Sequence, residues 1–495
     1  MKKILNRLIL ISAISIGLTS CKKDFLERSP TNRVDTEVAF STTKNIWLAI
    51  NGIHRAMYNQ IFEVQSQGGQ SGNMMYMDIM GDDVVLNVST NNWHVAEYQW
   101  NRHRDPGSNL VYYNYMFYYV IISNANMIIS KVDNATGSAE DKAILKGQAL
   151  AYRAWAYFQM VQLFGERYVA GQANSSLAVP LILEPTTEKN PRNTVAEVYA
   201  QINADLDDAI ANLTGYDRGT NKSHLNINVA KGLKARVALV QENWPAAIKF
   251  AQEARAGFAL MTNAQYSAGF NNYSVSEWMW GSKIQADQTN SFYSFFAHMS
   301  ANYSSGVIRT NPRSINSKLY DWIPATDIRK TLWDPTGKNT SFPIPTSTSA
   351  RYPYMNRKFR VADASLSIGD VPYMRSAEMY LIEAEAQARS GNDALAAQAL
   401  YPLAVNRNPS YVLSTNTGAA LINEIMMQRR AEFWGEGFRF YDLKRTNSVL
   451  DRTGSNHNAA VASKMTEPAG TKLWQFLIPQ AEINATNGVV TQNPL

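Results

Sequence analysis

Three aspartates, six histidines and a set of aromatics in polar surroundings are the groups of this sequence that could do chemistry. Asp78, Asp82 and Asp83 stand together in MDIMGDDVV. That spacing suits a Ca²⁺ site or paired carboxylates, and equally a turn around Gly81; the turn is the reading we favour. His54, His94, His103, His224, His298 and His457 include no i, i+4 pair and no His-Glu-x-x-His, so a zinc centre is not indicated. His94 and His103 share one turn-rich segment and read as surface imidazoles. There is no Gly-x-x-x-x-Gly-Lys-Ser/Thr loop and no Gly-x-Gly-x-x-Gly, and Gly69-Gln-Ser71-Gly72 lacks the spacing of a nucleophile elbow. A single Cys excludes a disulfide framework and any Cys-rich metal centre. We therefore expect no catalysis, no cofactor and no metal.

The aromatics carry more. Trp93 lies in NVSTNNWH, a polar setting without apolar periodicity. Trp278 and Trp280 alternate in Trp-Met-Trp, which reads as a short strand with one face in the core. Phe292, Tyr293, Phe295, Phe296 and Tyr303 follow in Ser/Asn-rich sequence. An open aromatic face next to amides and carboxylates suits a sugar: the ring stacks, and its hydroxyls meet the polar groups. The expected ligand-binding set is Asn91, Asn92, Trp93, Asp83, Trp280, Phe292, Tyr293 and Tyr303. For each aromatic except Trp93 the alternative is a loop anchor tucked into the body.

These groups must be positioned by a mostly helical body. In Val195–Leu213 apolar residues recur at spacings of three and four, with Thr194 and Glu197 as a capping box. Residues 142–164 form an Ala-rich helix, apolar on most faces and so deeply buried. The tyrosine-rich run 111–120 fits a core helix. Residues 230–256, turning at Glu242-Asn243, and 377–400, turning at Ser390-Gly391-Asn392, read as helical hairpins. Their small residues allow close approach, as in tetratricopeptide repeats. The copies are far apart, which excludes a regular solenoid. The fold class is thus mainly α, with helix pairs over about 112–260 and 370–445. Long irregular inserts with a little β cover about 63–111 and 262–370.

Charge and composition narrow the partners. The 495 residues are 45% hydrophobic and 18% charged, too apolar for a disordered chain. The formal charge is +6, but Lys2, Lys3 and Arg7 lie in the first 20 residues, which hold no acid. Beyond them 44 basic residues face 41 acidic ones without a basic stripe, so nucleic acid is not an expected partner. Residues 1–20 read as a signal peptide: a charged start, then an apolar stretch from Leu8 to Leu18, too short to span a bilayer. Leu18-Thr19-Ser20-Cys21 resembles a bacterial lipobox, with lipid on Cys21. No other run of 18 apolar residues is found.

Several segments together resemble the SusD/RagB family of bacteroidetal outer-membrane lipoproteins. Cys21-Lys-Lys-Asp24-Phe25-Leu26-Glu27-Arg28-Ser29-Pro30 is similar to the family's start. Gln428 to Arg445, QRRAEFWGEGFRFYDLKR, resembles its most specific signature, with Lys444 for an Arg and Phe438 where His is common. The tail Phe476-Leu-Ile-Pro479 and Thr491-Gln492-Asn493-Pro494 also matches. The resemblance implies a single domain over 21–495 with four tetratricopeptide-like helix pairs. One side would pack against a SusC-like TonB-dependent transporter, and the other would capture a glycan without chemistry. It implies lipid anchoring at the outer membrane, facing the cell exterior. By its residues alone, the 428–445 segment is a structural helix end. Arg429, Arg430, Glu432, Glu436, Arg439 and Asp442 can pair while Phe433, Trp434, Phe438 and Phe440 pack. The alternatives are a helical-repeat protein binding a peptide, another nutrient or a protein partner, and a hydrolase using Asp78, Asp82 or Asp83.

Overall fold

The capping box at Thr194 forms as its residues dictate: the Thr194 hydroxyl accepts from the Glu197 N–H, and the Glu197 carboxylate accepts from the Thr194 N–H. The computed structural model describes residues 36–60, 64–288 and 292–495. The expected signal peptide and Cys21 fall outside them. The longer helices are α1 (Thr43–Ala56), α2 (Gly69–Ile79), α3 (Asn109–Lys131), α4 (Ala139–Phe164), α5 (Val195–Asn212), α6 (Ile227–Val240), α7 (Trp244–Arg255), α8 (Ser376–Arg389), α9 (Asp393–Arg407), α10 (Gly418–Phe433) and α11 (Arg439–Arg445). Among the described residues no helix is long and apolar enough to cross a membrane.

Small residues decide which helices pair. Ala230, Ala235 and Ala238 of α6 and Ala247, Ala251 and Ala254 of α7 are all buried, so the two backbones approach closely. Ala377, Ala384 and Ala388 of α8 face Ala396 and Leu400 of α9 in the same way. Glu242 and Gly391 take left-handed conformations in the two turns, with φ of 58° and 78°. Helix α4 lies between α3 and α5 and buries residues around its whole circumference.

The inserts are built of short elements. β1 (Val84–Val85), β3 (Ser314–Ile315), β5 (Met355–Asn356) and β4 (Trp333–Asp334) form one antiparallel sheet in that order. β2 (Trp278–Ser282) pairs antiparallel with β6 (Val371–Arg375), which leads straight into α8. Both faces of β2 are buried, not one, because helices and β6 enclose it. β7 (Leu450–Asp451) and β8 (Thr466–Glu467) make a last small ladder.

The signature segment spans α10, a Gly-Glu-Gly turn and α11. Its charges do pair, but mostly with distant residues. Glu432 accepts from Arg375 (2.9 Å) and Arg407 (3.0 Å), and Arg329 lies 3.5 Å away. Glu436 meets Lys358 (2.7 Å) and Arg375 (2.8 Å). Glu277 bridges Arg375 and Arg407, and Asp327 holds Arg329. Four cations thus face four carboxylates in the interior. Burial alone would push the Glu432 carboxyl up, but Arg407, Arg375 and Arg329 hold it well below the usual carboxylate range. Within the segment the pairings are Arg429 with Asp442 (2.7 Å) and Arg445 with Asp442 (2.7 Å). Gly435 and Gly437 both have φ above 80°, and a Cβ on Gly437 would stand 2.6 Å from the Met74 Cα.

Candidate functional site

The loop that follows β1 is bolted to the turn after Gly306–Thr310. The Asn87 N–H donates to the Asn311 side-chain oxygen (2.9 Å), and the Asn87 amide donates to the Pro312 carbonyl (2.7 Å). Asn311 in turn donates to the Val88 carbonyl (2.7 Å), and Asn91 to the Thr310 hydroxyl (3.3 Å). Asn91, Asn92 and His94 all adopt left-handed backbone, with φ of 64°, 55° and 63°. Asn tolerates this through its short polar side chain; for His it costs about 1–2 kcal/mol. The result is that Trp93, at an extended ψ between them, is lifted half clear of the surface.

A pair of imidazoles fixes the Trp93 ring. The indole meets the His298 ring edge to face at 5.3 Å. His94 and His298 share a hydrogen bond of 3.2 Å between Nε2 and Nδ1, and His298 Nε2 donates to the Phe292 carbonyl (3.2 Å). Since His298 Nε2 is the donor there, its Nδ1 accepts from His94, which directs the whole chain. Both rings are neutral: burial and then Arg313 push His298 down to about 4, partly opposed by the Phe292 carbonyl, and hold His94 well below its ordinary value. This relay brings Trp93 and the loop of Phe292 and Tyr293 together across some 200 residues of chain.

Beside the indole lies an open cleft of about 480 Å³, lined by Gln67, Tyr76, Asn91, Asn92, Trp93, Glu97 and Arg102 among others. The Tyr76 hydroxyl is engaged with Ser66 (2.5 Å). Burial raises the Glu97 carboxyl, and Arg102 opposes that rise. The cleft therefore combines an aromatic face, two exposed amides and one charge of each sign. Such a set stacks a ring and exchanges hydrogen bonds with hydroxyls. Among the described residues no group of three metal-ligating side chains occurs.

The structure places the eight expected site residues in two groups. Asn91 and Asn92 are exposed, Trp93 and Tyr293 are half-buried, and Phe292 is 53% exposed. Asp83, Trp280 and Tyr303 are corrected, because each is interior. Asp83 is 2% exposed and bound by Arg430 (2.6 Å) and Arg439 (3.4 Å). Asp82 is taken by Arg439, and Asp78 by the N–H groups of Gly437 and Arg439. Trp280 is 1% exposed, ringed by Trp155, Tyr152 and Tyr373 at 5.2–5.9 Å. Tyr303 is 6% exposed. The serines around it mark helix caps and not solvent: Ser294 caps Phe295–Met299, and Ser305 caps Gly306–Thr310. His94 and His103 are buried too, correcting their reading as surface groups; His103 bonds the Leu473 carbonyl (2.7 Å). Glu97, Arg102 and His298 were not foreseen. Glu97 and Arg102 stand four and nine residues past Trp93 in the same insert, a signal that could have found them; His298 had none.

Residues 24–239 match a family model described as starch-binding and associating with the outer membrane. Residues 241–495, just over half of the chain, match the SusD family model. No curated protein matches. A SusD-like carbohydrate binding protein from Bacteroides vulgatus is 25% identical, with 90% of this chain and 97% of that one covered and a TM-score of 0.80. Another B. vulgatus protein, described as sugar binding, is 26% identical over 92% of this chain and 98% of its own, with a TM-score of 0.77. Surface glycan-binding protein A from Bacteroides thetaiotaomicron, solved with laminarihexaose, shares the fold at 18% identity, covering 91% and 99% of the two chains with a TM-score of 0.70. The chain belongs to the SusD family.

Proposed function

We propose that this protein is a cell-surface lipoprotein that captures an oligosaccharide at the Trp93 cleft. It hands the glycan, unaltered, to a SusC-like TonB-dependent transporter in the outer membrane, held there by lipid on Cys21. The observation that carries the reading is the half-open Trp93 indole, displayed by left-handed residues on both sides over a cleft lined with Asn91, Asn92, Glu97 and Arg102. A ring so presented offers its apolar face without having to leave a core. Phe292 and Tyr293, joined to it through His298, would extend the platform. The two imidazoles nearest the indole are spent on each other and on a carbonyl, which suits positioning and not proton transfer. Family membership supports the glycan, as does the relative solved with laminarihexaose.

The test is affinity electrophoresis of the purified protein through a panel of plant, host and microbial polysaccharides. Retardation by one class, lost in Trp93→Ala, is expected. No retardation across the panel would transfer the site to a peptide or another nutrient. Co-purification of a TonB-dependent transporter from solubilised membranes would test the delivery step; its failure would sink that part alone.

A further inference from the structure

A second groove has a lining that shares no residue with the Trp93 cleft. It is open, about 650 Å³, and formed by α1, the turn 220–224 and the end of β2 with Lys283 and Gln285. Two exposed cations, Arg55 and Lys283, stand on its lining. Two more lie just behind it. Arg218 donates to the carbonyls of His224 (2.6 Å) and Met279, and Lys222 donates to the carbonyl of Val275. Among the described residues no carboxylate lines this groove. Asp370 acts on Lys283 and Asp287 on Tyr58 from outside the lining. Burial holds Arg218 down at about 10 and Lys222 at about 8, the mark of cations that carbonyls satisfy but no anion compensates.

The polar groups are preset as donors as well. The Asn221 side-chain oxygen accepts from the Ser223 N–H (3.1 Å) and the Tyr273 hydroxyl (3.0 Å), so its NH₂ remains for a ligand. The Asn51 oxygen accepts from His224 Nε2 (3.0 Å), which leaves the Asn51 NH₂ likewise. His224 itself is stacked between Trp47 at 5.2 Å and His54 at 4.8 Å. The Trp93 cleft differs in kind, because there Glu97 balances Arg102. A groove of donors and cations without an acceptor carboxylate selects an anion. Its volume is far larger than one small inorganic ion needs.

We propose that this groove is a second binding site, which takes the carboxylates of an acidic, uronate-bearing oligosaccharide on Arg55, Lys283 and Asn221. That the ligand is a saccharide rests on the glycan-binding reading above; that it is an anion does not.

The test titrates tetragalacturonate, its methyl ester and inorganic phosphate into the purified protein at low salt by calorimetry. Tetragalacturonate should bind, and esterification, which keeps the rings and removes the charge, should weaken it at least tenfold. The double variant Arg55→Gln/Lys283→Gln should abolish this binding while retaining its melting temperature and any Trp93-dependent binding of neutral glycan. Trp93→Ala should leave it unchanged. Absence of tetragalacturonate binding overturns the proposal. So does binding that falls with Trp93→Ala and survives the double variant, since the ligand would then sit in the first cleft. Phosphate binding as tight as tetragalacturonate would reduce the groove to a simple anion site and overturn the saccharide. If no neutral glycan binds at Trp93 but tetragalacturonate still binds through Arg55 and Lys283, the first reading fails and this one stands.

Discussion

The ion network around Glu432 and the cleft around Trp93 are both made of charged, amide and aromatic side chains, and they put them to opposite uses. In the network every charge faces an opposite charge in the interior, and the aromatic rings close over them; the Arg375 guanidinium lies over Phe270 and Phe433. In the cleft the groups stay half-open, on a loop whose backbone is left-handed at three of four consecutive residues. Composition does not separate the two regions. What separates them is how completely partners from distant parts of the chain consume the polar groups. Satisfied groups hold a fold together, whereas groups left unspent by the fold can be spent on a ligand.

The largest effect that tests this contrast is removal of the network's centre. Glu432→Ala leaves Arg375, Arg407 and Arg329 without their shared carboxylate in a dry interior. A broken buried pair costs about 3–5 kcal/mol. The urea midpoint should therefore collapse, or the protein should fail to accumulate folded. A variant with a near-native midpoint would show that the network is not what holds the α8–α9–α10 region.

Acid should act on the two regions unequally. All six histidines are held below their ordinary pKa, chiefly by burial, with His298 and His457 at about 4. Between about pH 6.5 and 4 the unfolded chain thus binds more protons than the folded one, so stability falls as pH falls. A fully buried imidazole shifted in this way contributes on the order of 3 kcal/mol, complete above pH 6.5. Asp78, raised by burial to about 7, works in the opposite direction, as do Glu97, Asp370 and Glu482. The imidazoles outweigh them. Glu432 keeps its charge throughout this window, so the cleft relay of His94 and His298 loosens first. Urea midpoints at pH 7 and 4.5 should differ clearly, and His298→Asn should shrink the difference. A flat profile would contradict the neutral relay.

Much of the scaffold was legible because helices announce themselves locally. The Thr194 capping box, the alanines of α6 and α7 and the Gly391 turn need only near neighbours in the sequence. Which of the candidate site residues are accessible was legible in part, and for the same reason. Asn91, Asn92 and Trp93 lie in one polar stretch without periodicity, and they are accessible. Asp83, Trp280 and Tyr303 misled because their burial is decided far away: Arg430 is 347 residues from Asp83, and β6 closes over Trp280 from beyond the whole second insert. The pairing inside the 428–445 segment misled likewise. Its charges are complementary by sequence, yet Arg375, Arg407 and Lys358 reach the glutamates first.

The next effect is on binding and should leave the fold alone. Trp93→Ala removes a half-exposed ring from a loop held by Asn87 and Asn311, so the urea midpoint should move little. Glycan affinity should fall tenfold or more, about 1.4 kcal/mol or above, from loss of the stacking face. Unaltered affinity would rule Trp93 out as the platform. Trp280→Ala should do the reverse. It opens a cavity among Trp155, Tyr152 and Tyr373 and costs roughly 3–5 kcal/mol of stability.

The smallest effect separates the shape of the loop from its side chains. Asn91 has φ of 64°, a conformation glycine adopts freely and alanine does not. Asn91→Gly should keep the loop's geometry, and Asn91→Ala should strain it by about 1 kcal/mol. If the Asn91 amide itself meets the glycan, both variants lose affinity, and the glycine variant does so with an unchanged melting temperature. If Asn91 serves only to lift Trp93 into place, the glycine variant binds as the parent does and the alanine variant alone is weakened. Equal affinity for all three would mean that the Thr310 and Asn311 contacts suffice to display the indole, and that the left-handed backbone follows from the loop's anchoring instead of shaping the site.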